Sequence, residues 1–318
     1  MPTLGAVGQQ WQWENATAGA IAGFATVTVL HPLDVVRTRF QELSVNDGRI
    51  SNLPSYKNTG HAIFSIARTE GLKGLYAGFY PAVLGSTVSW GLYFFFYSRA
   101  KQRYSKGSEE KLSPGLHLVS AAEAGVMVSL LTNPVWLVKT RLQLQSPLHQ
   151  TRRYSGFYDA LRTILKEEGW HALYRGIGPG LLLVSHGAIQ FTVYEELRKV
   201  VVGVRSEEGK SSPHNGDKVL NTVDYAVLGA SSKLAAILLT YPYQVIRARL
   251  QQRPNIDGKP QYMDSWHVVK QTARFEGLNG FYRGITSNLL KNLPAASITF
   301  VVYENVINLL KRVRRTEL

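Results

Sequence analysis

One pattern constrains this chain more than any other: a proline-led string, Pro-x-x-x-x-basic-x-basic-x-Gln, that occurs three times in 318 residues. It starts at Pro32 in "HPLDVVRTRFQ", at Pro134 in "NPVWLVKTRLQLQ" and at Pro242 in "YPYQVIRARLQQ". Its bases and amide are Arg37, Arg39 and Gln41, then Lys139, Arg141 and Gln143, then Arg247, Arg249 and Gln251. Downstream of each copy comes an acid-Gly pair, Glu70-Gly71, Glu168-Gly169 or Glu276-Gly277. A Tyr-x-Gly follows at Tyr76, Tyr174 and Tyr282, and a further tyrosine at Tyr97, Tyr194 and Tyr303. The period of about one hundred residues is too long for a solenoid unit. It marks a triplicated mini-domain: a tail over 1–12, then repeats over 13–108, 109–210 and 211–318.

Each repeat holds two apolar stretches, over 16–33 and 78–97, 116–137 and 176–194, and 226–246 and 284–303. As helices of 18 to 22 residues they span roughly 27–33 Å, the thickness of a bilayer core. The formal charges inside all six are Glu123, Lys233 and Lys291. Soluble amphipathic helices of that length carry a charged face, so the stretches predict six transmembrane helices. Small residues four apart, Gly19 with Gly23 and Ala121 with Gly125, predict close helix contacts. Between the spans, "YKNTGHAIFSIARTEG", "YSGFYDALRTILKEEG" and "YMDSWHVVKQTARFEG" place apolar residues on one face. They predict short helices on the membrane surface. Residues 105–113 and 205–216 are rich in Ser, Gly, Lys and Glu and read as loops.

The formal charge of +14 calls for an anionic partner: a phosphate-rich membrane surface, an anionic metabolite or nucleic acid. With no cysteine, disulfides, thiolate metal sites and cysteine nucleophiles are excluded. The opening "MPTLGAVGQQWQWEN" has neither a basic n-region with an apolar core nor Arg/Ser richness, so it reads as neither secretory signal nor long transit peptide. No metal-ligand spacing, phosphate-binding glycine loop or nucleophile–base arrangement is present. Metals and cofactors are therefore not expected, and an enzyme is not.

Proline inside a helix removes a backbone hydrogen bond and kinks it. Three kinked helices at Pro32, Pro134 and Pro242 can converge, bringing Asp34, Trp136 and Gln244, the residues two after each proline, near their neighbours' bases. Gln41, Gln143 and Gln251 lie one helical turn beyond the first bases and are placed to brace such contacts.

The threefold signature over six spans resembles the mitochondrial carrier family, over nearly the whole chain from about Trp13 to Leu310. The tryptophan in "PVWLVK" resembles members that move folate, flavin, nicotinamide or pyrimidine nucleotides. The stretches "WQWENATAGA", "STVSWGLYFFFY" and "SHGAIQFTVYEELRK" are most similar to plant folate carriers of the chloroplast envelope. The resemblance implies an all-α membrane protein, a six-helix barrel of three pseudo-symmetric repeats with short surface helices. It also implies a central cavity opening alternately to either side, and a monomer among anionic lipids held near Arg175 and Arg283. Ala77 departs from the family's base in that position. Likeness to the plant homologues implies the chloroplast inner envelope; the family at large implies the mitochondrial inner membrane.

By the same analogy, the acid position of one odd helix pairs with the first base of the next. Asp34 would pair with Lys139, Trp136 would cover Arg247 by a cation–π contact, and Gln244 would bond Arg37. Only the first is an ion pair, leaving three bases against one acid. An outer gate would form from Ser98, Lys101, Glu195, Arg198 and Glu304, with Glu304–Lys101 as its strong pair and Ser98–Arg198 as a hydrogen bond. Solvated interfacial charges are the other reading of these residues.

A charge at membrane depth is costly and is a functional candidate. Lys291, with Gly85 and Leu182–Leu183 at matching heights, would form the substrate contact zone with Lys233, Glu123, Trp136 and Arg247. A Lys233–Glu123 ion pair of purely structural type stands as the alternative, as an interfacial anchor does for Trp136. A folate's two glutamyl carboxylates suit Lys291, Lys233 or Arg247, its pterin suits Glu123, and its rings suit Trp136, Trp90 or Tyr93. FAD, NAD and pyrimidine nucleotides pair ring and charge in the same way and remain the runner-up cargo. A basic nucleic-acid-binding helical repeat is the rival of another class, opposed by the six spans.

Overall fold

The computed structural model describes residues 4–42, 56–105, 113–145, 153–207, 220–254 and 260–316. The inter-repeat loops expected over 105–113 and 205–216 lie, apart from their ends, outside these residues. The described chain is all-helical and repeats one pattern three times: a long odd helix, a short surface helix, and a long even helix.

The first repeat contains α1 (Leu4–Glu42), α2 (Thr59–Leu75) and α3 (Phe79–Tyr104). α1 begins at Leu4, inside the segment set apart from sequence as a tail. The second repeat contains α4 (Pro114–Leu144), α5 (Phe157–Glu167), a 3₁₀ turn over Trp170–Tyr174, α6 (Ile177–Leu182) and α7 (Ser185–Glu207). The third contains α8 (Thr222–Leu250), α9 (Ser265–Gly280) and α10 (Ile285–Thr316). Pro32, Pro134 and Pro242 sit inside α1, α4 and α8, which continue through them.

Local chemistry sets several helix starts. Asn58 accepts from the His61 amide at 2.8 Å and Asp264 from the His267 amide at 2.7 Å, capping α2 and α9. Asn221 and Asp224 form a reciprocal capping box on α8. The surface helices bury the apolar face read from sequence. Ala62 and Ile66 of α2 pack on Val35 and Val36 of α1. Ala160 and Ile164 of α5 pack on Leu137 and Val138 of α4, and Val268 of α9 packs on Ile246 of α8.

Among the described residues, five helical segments are long and apolar enough to cross a bilayer: Thr17–Glu42, Gly115–Leu144, Trp170–Val204, Val223–Leu250 and Ile285–Arg312. α3, at 26 residues, has the length of the sixth. Their surfaces leave Phe24, Phe94, Leu131, Leu239 and Phe300 exposed, the reverse of a water-soluble bundle and the arrangement a lipid-facing surface requires.

Two expectations are corrected. The fourth span is not one continuous helix. The Val184 amide bonds Leu181 O at 3.0 Å and the His186 amide Leu183 O at 3.1 Å, three-residue bonds in place of the α-helical ones, which separate α6 from α7. Val184 is seated on Gly125 of α4, where a Cβ would lie 2.8 Å from its Cγ1. Nor are Gly19 and Gly23 close-packing positions, since nothing lies within 4 Å of a Cβ built on either. Gly125 is one.

The repeats close into a ring at the proline end. Gly78, Gly176 and Gly284 have φ of 71°, 76° and 80°, a left-handed conformation that favours glycine. Each backs onto the odd helix of the next repeat. A Cβ on Gly78 would meet Lys139 O at 3.0 Å, one on Gly176 Arg247 O at 3.2 Å, and one on Gly284 Arg37 O at 3.0 Å. The third repeat thus returns to the first.

Candidate functional site

A cavity of about 590 Å³ lies on the axis of this ring, lined by residues of all three odd helices and of α3, α7 and α10. Among the described residues its wall carries five bases, Arg37, Lys139, Lys233, Arg247 and Lys291, against a single carboxylate, Asp34. Such a chamber concentrates anions and repels cations. Thr26, Thr140, Asn288 and Asn292 add neutral hydrogen-bonding groups, and Trp136 and His186 add flat rings.

The floor is a latch built around Asp34. Lys139 of α4 contacts Asp34 Oδ2 at 2.6 Å, and Gln143 Nε2 donates to the same oxygen at 3.1 Å. Lys291 of α10 donates to Asp34 Oδ1, and Arg37 approaches that oxygen to 3.9 Å from the following turn of α1. Asp34 is thereby held by both the next repeat and the last one. Gln143 is fixed in turn by the Thr38 hydroxyl, which donates to its Oε1 at 2.8 Å. In the third motif Arg37 donates to Gln244 Oε1. Gln251 accepts from the Thr140 hydroxyl at 2.9 Å, and Gln41 is buried beside this end.

Sequence reasoning therefore brings together Asp34 with Lys139 and Gln244 with Arg37, as the structure does. Trp136 is different. Its ring carries Lys139, with Nζ 5.0 Å from the centroid, rather than Arg247. Arg247 instead donates to Asn133 Oδ1 at 3.2 Å and lies over Gly180, whose absent side chain leaves room for the guanidinium. The indole packs on Gly85 of α3, where a Cβ would lie 3.5 Å from its six-membered ring. Gly85 thus seats Trp136 and is not part of the cavity wall.

Other expected contacts shift as well. Glu123 belongs to the outer end of the α3–α4 pair, where Arg103 binds it at 2.8 Å and the Tyr104 hydroxyl at 3.1 Å. It neither lines the cavity nor pairs with Lys233, because a nearer base on the adjoining helix takes it. Lys233 lines the cavity and forms no ion pair among the described residues. Leu183 lines the cavity while Leu182, one position earlier, does not and is 53% exposed.

At the outer end, Lys101 and Glu304 are both exposed and form no ion pair with each other. Ser98 is exposed too, and Arg198 approaches Glu195 of its own helix at 3.8 Å. The outer hydrogen bonds join neighbouring helices: Tyr97 to His117 at 2.9 Å between α3 and α4, and Tyr303 to Asn15 at 2.7 Å between α10 and α1. The latch is shut at the proline end.

A second ring lies beneath the latch, and sequence reasoning named its residues without giving them a role. Arg39, Arg141 and Arg249, the second base of each motif, are wholly buried. Each clamps the glutamate of its own acid-Gly pair. Arg39 holds Glu70 at 2.6 and 2.8 Å, Arg141 holds Glu168 with its second contact at 3.0 Å, and Arg249 holds Glu276 at 2.8 and 2.9 Å. Each also donates from Nε to the motif glutamine carbonyl of the next repeat. Arg39 reaches Gln143 O at 3.0 Å, Arg141 reaches Gln251 O at 3.1 Å, and Arg249 reaches Gln41 O at 3.1 Å. The signal was present, since a buried arginine needs a bidentate acid and the acid-Gly pair recurs in step with it.

The family model for mitochondrial carrier proteins matches residues 8–108, 110–205 and 218–314. The chain belongs to the mitochondrial carrier family. Among its curated relatives, Folate transporter 1, chloroplastic, of Arabidopsis thaliana is 71% identical over 303 residues, covering 95% of this carrier and 97% of the relative. Nicotinamide adenine dinucleotide transporter 1, chloroplastic, of the same plant is 38% identical, covering 92% and 90%. The mitochondrial pyrimidine nucleotide transporter of Saccharomyces cerevisiae is 30% identical, covering 94% and 86%.

Proposed function

We propose that this carrier moves folates across the chloroplast inner envelope by alternating access. What carries the reading is the 71% identity, over nearly the full length of both chains, to a relative named as a chloroplastic folate transporter. The cavity supports it. A folate is a dianion at its glutamyl end and a flat heteroaromatic at the other, and the wall holds a four-charge excess of bases over acids beside an indole. Lys233, Lys291 and Arg247 are the residues assigned to the carboxylates, and Trp136 to a ring. The repeats 13–108, 109–210 and 211–318 complete one cavity within one chain, which supports a monomer at work in a bilayer containing anionic lipids.

The test is uptake of labelled monoglutamyl folate into liposomes containing the purified carrier, with FAD, NAD and UTP as competitors. Saturable uptake that is lost in Lys233→Ala and little affected by the nucleotides is expected. Uptake of NAD or UTP without folate would overturn the cargo and favour the second reading, carried by the nucleotide-transporting relatives.

A further inference from the structure

His186, on the cavity wall, is held in one tautomer by its neighbour. The Thr240 hydroxyl of α8 donates its hydrogen to Ala236 O at 2.7 Å. Its oxygen lies 2.9 Å from His186 Nδ1 of α7, so in that contact Thr240 accepts and Nδ1 carries the proton. Beside five bases a further cation is opposed, and the ring is neutral. A neutral imidazole protonated at Nδ1 presents a lone pair at Nε2. That atom has no hydrogen-bond partner among the described residues and is not enclosed by protein. Lys233, about two turns before Thr240 on α8, lines the same cavity, and its charge acts on the His186 ring. We propose that His186 and Lys233 form an acceptor–donor pair that reads an amide edge of the cargo's ring, a ring N–H beside a carbonyl.

The rest of the wall gives this acceptor its value. Its lysines and arginines are donors only, and many of its oxygens are already taken. Asp34 accepts from Lys139, Gln143 and Lys291, while Gln143, Gln244 and Gln251 accept from Thr38, Arg37 and Thr140. A ring N–H entering such a chamber loses water and meets donors. His186 Nε2 supplies the acceptor. Lys233 gives one N–H to the adjoining carbonyl, leaving its others and Arg247 for carboxylates. The pterin of a folate has this edge in its N3–H and C4=O. In aminopterin the same ring carries an amine at C4 and a bare N3, so donor and acceptor exchange places. Lone pair then faces lone pair, and N–H faces N–H. A site that hydrogen-bonds one edge rejects the analogue lacking it far more strongly than an apolar pocket rejects a change of size.

This inference rests on the folate reading, and the choice of probe pairs separates the two. Equilibrium binding of labelled folic acid and of aminopterin is measured on the detergent-purified carrier. Wild type is expected to prefer folic acid roughly tenfold or more. His186→Phe keeps a flat ring without the acceptor and should reduce the preference to about twofold or less. Thr240→Val leaves the histidine but frees its tautomer, so the preference should fall there too. Thr240→Ser keeps the hydroxyl and should retain it. A histidine that only packs would weaken both ligands by the same factor, and that unchanged ratio would overturn the proposal, as would a wild type without preference. If His186→Phe does not fold, the two Thr240 variants carry the test through the same ratio. If wild type binds a nucleotide and neither folate, the cargo reading fails and the edge is tested on the matching pair. UTP against CTP reverses the edge in the same way, and NAD against its 3-acetylpyridine analogue removes the N–H. A preference for UTP or NAD that disappears in His186→Phe leaves the edge standing, and equal binding overturns it. A wild type that binds none of these probes overturns both.

Discussion

Gln244 shows how one atom sets the strength of a latch. Its Oε1 accepts from Arg37, a contact between an amide and a cation where a carboxylate would make an ion pair. Gln244→Glu is expected to tighten the floor by about 1 kcal/mol, the scale of a partly exposed pair. Thermal unfolding in detergent should rise, and net uptake into cargo-free liposomes should fall relative to exchange. The buried arginines give a sharper contrast. Glu168 keeps Arg175 at 3.2 Å and Glu276 keeps Arg283 at 2.9 Å, whereas the corresponding place beside Glu70 is Ala77. Removing one partner of a buried pair costs about 3–5 kcal/mol when the other is left alone. Arg39→Met should therefore lower the unfolding temperature more than Arg141→Met does. An equal loss in both would show that Arg175 contributes nothing to Glu168.

At the scale of the helix, glycines that look alike in sequence divide by their surroundings. Gly284 starts α10 at φ 80° with Arg37 O 3.0 Å from any added Cβ. Gly19 lies within α1 with nothing inside 4 Å. Gly284→Ala is expected to cost on the order of 1–3 kcal/mol for the left-handed backbone, while Gly19→Ala should be neutral or slightly stabilising. Melting curves of the two variants check this. The element scale also marks where sequence was legible. The spans, the surface helices and the Asp34–Lys139 contact could be read because periodicity and the threefold register fix them. The partner of Arg247, the seat of Trp136 on Gly85 and the break between α6 and α7 could not. They depend on which neighbour fills a volume, and a repeat pattern carries no volumes. Glu123 was misplaced for the same reason, since Arg103 lies 20 positions away along the chain and only the α3–α4 pairing brings it near.

For the whole molecule, the ring at the proline end is the organising fact. Three arginines clasp forward from each repeat to the next, and the last clasp, Arg249 to Gln41 O at 3.1 Å, returns to the beginning. α10 also lies beside α1, with Tyr303 bonded to Asn15 at the end opposite the latch. The order of the repeats along the chain is therefore incidental to the order around the axis. A circular permutant that opens at the loop between the first and second repeats, with 318 and 1 joined by a short linker, forms the same three clasps. It should transport as the parent does. A permutant that cuts between Pro242 and Arg249 severs α8 within its motif and should not assemble.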